Sequence, residues 1–262
     1  MYLENIPLSC NFSKISNFSK IKIQQPRQIK GLIKTLNSTG YMLAKPHIYS
    51  QFFIDSIPFL KDWVLDIGAA YGVTTIPSLK QGVYVVANDI ESRHLQILAQ
   101  KTPKHLMNQL CLLPGKFPDD IELPENSFPA IHAAGSLHFL EPDLFEVALQ
   151  KIFNLLQPGG KFYFITTTPF VKLFSEFLPI FEQRKKQDHP WPGLIEDSSV
   201  FNKKNHHPIP KLLNLLDIET IERVLIKKNF IIKRIEYVPY AKAPLNIQGD
   251  GRDTIGVIAM KI

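Results

Sequence analysis

Residues 64–75 read Val64-Leu65-Asp66-Ile67-Gly68-Ala69-Ala70-Tyr71-Gly72-Val73-Thr74-Thr75. A short apolar run with an acid near its end passes into a glycine turn, and the turn into a stretch of helical spacing. Gly68 permits a tight turn close to a ligand. Gly72 stands where the helix starts, so unpaired backbone N–H groups there can receive a carboxylate or another anion. Pro77 falls in the helix's first turns, where a missing N–H costs little. A dinucleotide-binding turn calls for Gly-x-Gly-x-x-Gly. Here the spacing is Gly-x-Ala-x-Gly, with Asp66 two residues ahead of the first glycine.

Outward from this segment, strand and helix alternate. The patterns predict strands at 63–67, 83–88, 109–113, 130–134 and 161–166, and helices at 74–80, 92–101 and 143–155. That alternation implies a parallel sheet covered by helices. Upstream, Ile48, Phe52, Phe53 and Ile57 recur at near-helical spacing, and Pro58 closes a helix over 47–59. Downstream, the rhythm breaks over 168–216, an insertion containing Pro190, Pro192, Pro208 and Pro210. Asp217 then opens a helix to 228, with Glu219 and Glu222 near its positive end and Lys227 and Lys228 near its negative end. Strands at 231–237 and 254–260 close the chain as an antiparallel hairpin. Residues 1–40 lack periodicity and are expected to be a basic arm with one short helix around 28–36, ahead of a single domain over 41–262.

Three further segments fall in order behind the first: Val85-Val86-Ala87-Asn88-Asp89-Ile90, then Phe128-Pro129-Ala130-Ile131-His132-Ala133-Ala134-Gly135-Ser136-Leu137-His138-Phe139-Leu140, then Leu156-Gln157-Pro158-Gly159-Gly160-Lys161-Phe162. Together the four resemble the class I S-adenosylmethionine (SAM)-dependent methyltransferase family, whose first motif is an acid, any residue, then Gly-x-Gly-x-Gly. Ala70 takes the middle glycine's place and adds a methyl group to the loop. The resemblance covers 41–262. It implies a Rossmann-like α/β fold: a mostly parallel seven-stranded sheet with helices on both faces, an antiparallel last strand, and a helical lid at 168–216. It also implies methyl transfer from SAM, leaving S-adenosylhomocysteine, by in-line displacement to an oxygen or nitrogen of a small molecule.

By the same resemblance, Asp66, Gly68, Ala69, Ala70 and Gly72 hold the methionine part of the cofactor. Asp89 and Ile90 hold the ribose, Lys116 and Phe117 stand at the adenine, and Gly135 and Ser136 line the reaction centre. Lys116 and Pro129 occupy places where the family often has an acid. Bland readings stand beside these: Asp66 as a turn cap, Asp89 as a helix N-terminal acid, Phe117 as packing.

The acceptor is less legible. No Asn-Pro-Pro-Tyr or Asp-Pro-Pro-Tyr ends the fourth strand, which weighs against the exocyclic amine of adenine, and no Pro-Cys is present for cytosine carbon. His138 is a candidate general base, or a structural histidine. His189, His206 and His207 lack the spacing of a metal site, and none is expected. Phe170, Phe174, Phe177 and Phe181 share one face of a helix, as core or as the underside of a lid over an apolar acceptor. On the lid reading, Phe174, Phe177 and Trp191 contact substrate.

At 262 residues and 45% hydrophobic, the chain can build a core without cross-links. Cys10 and Cys111 show neither CxxC nor Cys/His spacing, so neither a disulfide framework nor a zinc site is signalled, as in a reducing compartment. No long apolar run or signal-peptide core occurs, and the expectation is a cytoplasmic protein without a membrane partner. Most of the net charge of +6 sits in the first forty residues, where six basic residues face only Glu4. That arm supports a rival reading, an RNA or protein acceptor; a non-catalytic SAM-binding protein is a third.

Overall fold

The computed structural model describes residues 22–262 apart from 59, 61, 202–208, 241–243 and 245–246. His206, His207, Cys10 and the first half of the arm therefore lie outside the described residues.

Its centre is a seven-stranded sheet in the order β11-β12-β8-β7-β4-β5-β6. The strands are β4 (Trp63–Ile67), β5 (Tyr84–Asp89), β6 (Leu110–Pro114), β7 (Phe128–Ala134), β8 (Leu156–Thr167), β11 (Phe230–Val238) and β12 (Thr254–Lys261). All five residues of β4 are buried, as a central parallel strand covered on both faces requires. The chain runs from β4 outward to β6, then returns to the other side of β4 as β7, so the strand order reverses beside β4. β12 is antiparallel to both β8 and β11. β8 begins ahead of the expected 161 because Leu156 already pairs with Phe128, before a register shift.

Alternation along the strands feeds two cores. On one face Leu65, Ile131 and Phe162 pack with α4 (Pro142–Leu155) and α6 (Ile218–Lys227). On the other, Val64, Val85 and Ala130 pack with α1 (Ile48–Ser56), α2 (Thr75–Lys80) and α3 (Ser92–Lys101). α1 comes unusually close to the sheet: a Cβ on Gly256 of β12 would stand 2.1 Å from the Tyr49 ring, so only glycine fits there.

Two expectations need correction. The short helix over 28–36 is instead strand: β1 (Gln28–Ile29), β2 (Leu32–Lys34) and β3 (Tyr41–Leu43) form a three-stranded antiparallel sheet. Lys30 and Gly31 make the hairpin turn with φ of 47° and 81°, the paired positive values that a two-residue hairpin favours. Ile33 of this small sheet packs with Tyr71 and Ile97, fixing it to the main domain.

The phenylalanines of the insertion do not share one helix. A 3₁₀ turn at Lys172–Phe174 ends before α5 (Leu178–Lys186), whose N-cap is Phe177. Phe174, Phe177 and Phe181 nevertheless meet, in a core of their own with Ile195, Leu213 and Leu215. Two short strands, β9 (Leu194–Ile195) and β10 (Leu213–Asn214), pair antiparallel beside it. Among the described residues no helix is long and apolar enough to cross a membrane.

Candidate functional site

At the carboxyl ends of β4, β5, β7 and β8 lies a cavity of about 320 Å³. The turn after β4 forms its floor. Gly68 and Ala69 both donate their N–H to Asn88 O at 2.9 Å. Gly68 has φ 72°, and a Cβ there would fall 2.6 Å from Ser136 Cβ, so both the conformation and the close approach call for glycine. Ala70 adopts φ 45°, a left-handed backbone that costs an L-residue roughly 1–2 kcal/mol. Its N–H donates to Asp89 Oδ2 at 2.8 Å, which holds it there. Gly72, expected at the cofactor, does not line the cavity. A Cβ at this position would stand 2.1 Å from Leu98 Cδ1, so its role is to let α3 pack against the turn.

Asp89 ends β5 at the cavity wall and is 6% exposed. Its Oδ1 accepts from Glu91 N at 2.8 Å and faces His94 Nδ1 at 3.1 Å, leaving acceptor capacity on Oδ2. Asn88 Nδ2 donates to Leu113 O and Gly115 O at 2.9 and 3.0 Å, pinning the loop that brings Lys116 and Phe117 to the wall. The Lys116 ammonium itself turns outward to Asp119 at 2.7 Å. Ile90, Gly135 and Ser136 line the cavity as expected.

Behind the turn lies a chain of hydrogen bonds that the sequence did not announce. Asp66 Oδ2 accepts from Thr75 Oγ1 at 2.6 Å, and Asp66 Oδ1 lies 2.8 Å from His132 Nδ1. His132 Nε2 lies 2.9 Å from Ser50 Oγ on α1. Asp66 and His132 are partners across β4 and β7, which puts both side chains on one face. The signal was available: a histidine inside a buried strand asks for a partner, and the neighbouring strand's acid supplies it.

The far end of the cavity is walled by Ser50, His47, Thr166 and Tyr240 among apolar side chains such as Leu137, Phe139 and Ile165. Its roof is the N-terminal sheet, with Thr35, Asn37, Tyr41 and Met42 at the surface of the cavity. His138 does not reach it. The 3₁₀ turn at Leu137–Phe139 buries the imidazole against the Phe139 ring, 4.2 Å between centroids, and leaves Nδ1 without a partner. Burial pushes its pKa down to about 4. Phe174 and Phe177, 3% and 1% exposed, are consumed by the insertion's own core. Trp191 packs edge-on against Phe145 and under the Arg223 guanidinium. None of the three lines the cavity: Phe174 and Phe177 are spent on the insertion's own core, and Trp191 on docking the insertion against the main domain. Among the described residues no group of three or more His, Cys, Asp or Glu side chains could hold a metal ion.

Residues 64–160 match a family model described as a methyltransferase domain. No curated protein matches the chain. Among solved structures, a SAM-dependent methyltransferase from Methanosarcina mazei is similar at 17% identity and a TM-score of 0.57, over 80% of this chain and 97% of that one. The 1,6-didemethyltoxoflavin-N1-methyltransferase of Burkholderia thailandensis, solved with its substrate and S-adenosylhomocysteine, is 18% identical with a TM-score of 0.55, covering 82% and 77%. A glycopeptide N-methyltransferase is 16% identical with a TM-score of 0.54, covering 84% and 97%.

Proposed function

We propose that the chain is a class I, SAM-dependent methyltransferase, a reading supported by the methyltransferase-domain match over residues 64–160 and by structures of similar fold, and that it transfers a methyl group to an oxygen or nitrogen of a small apolar molecule. The observation that carries this reading is one continuous, roofed cavity with two chemically different ends. A glycine turn and the Asp89 carboxylate mark one end; an apolar chamber with a few hydroxyl and imidazole groups marks the other. A roofed cavity of about 320 Å³ suits a small molecule better than a folded RNA or protein.

The residues present fit the methyl donor. Asp89 Oδ2 has acceptor capacity for ribose hydroxyls, and Phe117 offers an apolar surface for a base. The turn at Gly68–Ala70 lines the cavity together with Gly135, where even an added Cβ would meet nothing within 4 Å, and this leaves room for an amino-acid tail. When bound, SAM supplies an electrophilic methyl group on a positively charged sulfur. The chain's task is to align the acceptor, exclude water and accept a proton where one is released, and alignment contributes about 7–11 kcal/mol in favourable systems. Lys30 and Lys34, part of the basic arm that suggested RNA or acidic protein partners, belong to the hairpin of the roof.

The test uses protein incubated with methyl-labelled SAM and a cell extract separated into small-molecule, RNA and protein fractions. Label in the small-molecule fraction is expected. Label confined to RNA or protein would overturn the proposal in favour of a macromolecular acceptor.

A further inference from the structure

Four imidazoles lie in or beside the cavity, and their partners separate them. His47 Nδ1 accepts from Tyr49 N at 3.2 Å, so the ring proton is on Nε2, facing Thr254 Oγ1 at 3.1 Å. Thr254 Oγ1 gives its own proton to Val238 O, so both His47 nitrogens are committed. His94 Nε2 accepts from Leu36 N at 3.0 Å and its Nδ1–H points at Asp89, so it too has no lone pair left. His138 is turned into the interior. His132 differs. Asp66 is a carboxylate that only accepts, so the proton is on Nδ1, and the Nε2 lone pair is directed at the Ser50 hydroxyl, which lines the cavity.

The three residues are each 2% exposed, and the Phe53 ring covers the imidazole at 5.2 Å between centroids. In such a dry setting a carboxylate stabilises an imidazolium far better than water-exposed groups do. The ionisable groups facing His132 are Asp66 from β4 and His47 ahead of α1, with Tyr163 on the neighbouring strand β8 tied to Ser56.

We propose that Ser50, His132 and Asp66 form a proton relay, and that the acceptor is therefore a small apolar alcohol or phenol. This rests on the methyltransferase reading and narrows it. A neutral amine attacks through its lone pair before it loses a proton, whereas a hydroxyl is a weak nucleophile until its proton leaves. A relay ending on a hydroxyl in the cavity wall meets the need of the second class. The acceptor O–H passes its proton to Ser50 Oγ as the Ser50 proton moves to His132 Nε2. The acceptor oxygen uses the freed electron pair to bond the methyl carbon, while the carbon–sulfur bond breaks with its pair going to sulfur. The imidazolium, held by Asp66, then releases one proton to solvent. Ser50 touches the acceptor; His132 and Asp66 are positioning residues that act through it.

The test is a series of para-substituted phenols, from 4-methylphenol to 4-nitrophenol, as methyl acceptors for wild type, Ser50→Ala and His132→Gln. S-adenosylhomocysteine affinity and melting temperature are read on the same samples. With 4-methylphenol, which stays protonated, kcat is expected to fall about 10²–10⁴-fold in both variants, the usual range for lost general-base catalysis. With 4-nitrophenol, at a pH where it is already ionised, the loss is expected to be small. Activity of the variants on 4-methylphenol should climb steadily with pH as free phenolate accumulates.

A second readout needs no turnover: at a pH where free 4-nitrophenol is still protonated, 4-nitrophenol bound to the S-adenosylhomocysteine-loaded protein should show the phenolate absorbance in wild type and the phenol absorbance in Ser50→Ala. Equal losses for both phenols, or identical spectra, overturn the relay. Absence of transfer to the phenols and to a matching panel of apolar alcohols by a wild type that binds S-adenosylhomocysteine overturns the hydroxyl class. A wild type that fails to bind S-adenosylhomocysteine sinks the methyltransferase reading itself.

Discussion

The backbone N–H of Leu36 donates to His94 Nε2 at 3.0 Å, and the opposite nitrogen of the same ring lies 3.1 Å from Asp89 Oδ1. One imidazole thus joins the N-terminal sheet to the acid at the end of β5. Arg93 Nη2 donates to Leu36 O at 3.1 Å and the Tyr71 hydroxyl to Lys34 O at 2.9 Å, so the roof is tied down at three points around the Gly68–Ala70 turn. Deletion of residues 1–40, which motif positions alone would call harmless, is therefore expected to weaken S-adenosylhomocysteine binding by calorimetry. His94→Phe keeps a ring but loses both bonds and should cost about 2–10-fold in affinity, the worth of a modest hydrogen bond. Full-strength binding after the deletion would show that the roof plays no part.

Asp89→Ala should largely abolish the thermal shift produced by S-adenosylhomocysteine, while NAD produces none in wild type. A ligand at 100 times its dissociation constant stabilises the native state by about 2.7 kcal/mol, an ample signal. Asp89 also accepts from Ala70 N, Glu91 N and His94, so the free variant should melt lower as well. The informative quantity is the shift on adding ligand. A shift equal to that of wild type would remove Asp89 from the site.

Replacing Phe174 and Phe177 together by Ala should lower the melting temperature sharply, because each buried aromatic removed costs about 3–5 kcal/mol. The structure thus favours the core reading of these side chains over the lid reading. Normal stability with weakened acceptor turnover would restore the lid.

Stability should fall on mild acidification. Burial lowers the His138 pKa to about 4, and burial followed by the charge of His132 lowers that of His47 to about 4. The unfolded chain takes up these protons near 6.5. Below that value the unfolded state binds more protons than the folded one, so stability is lost as pH falls from about 6.5 toward 4. His138→Phe removes one of the two contributions and also the unpartnered Nδ1. Denaturant melts from neutral pH to about pH 5 should show a shallower slope in that variant; parallel slopes would count against the assignment.

The sheet was legible because its strands are short apolar runs cut by glycine turns, and the Gly68 turn was legible because its geometry demands specific residues. What stayed hidden depended on contacts between distant segments. Ser50 meets His132 across 82 positions of sequence, and nothing near Ser50 marks it as more than a polar residue on an amphipathic helix. Spacing alone placed Phe170 to Phe181 on one helix, yet a 3₁₀ turn and Pro179 break that run while burial still brings the rings together. The hairpin at 28–34 was masked by its brevity: two strands of two and three residues carry too little alternation to register. Its Lys30-Gly31 turn was the available clue.

Gly256 has no contact with the cavity, yet it sets the depth at which α1 lies on the sheet through the Tyr49 ring. Tyr49 and Ser50 are adjacent on that helix, so the bare backbone of β12, two strands away from β7, acts as a shim for the Ser50 hydroxyl. Even alanine at 256 would lift α1 and move Ser50 away from His132, although Gly256 itself does not line the cavity. Mutational tolerance along β12 should therefore be uneven: neighbours that face the same core accept other apolar side chains, while this one position admits a single residue type for reasons of millimetre work at ångström scale.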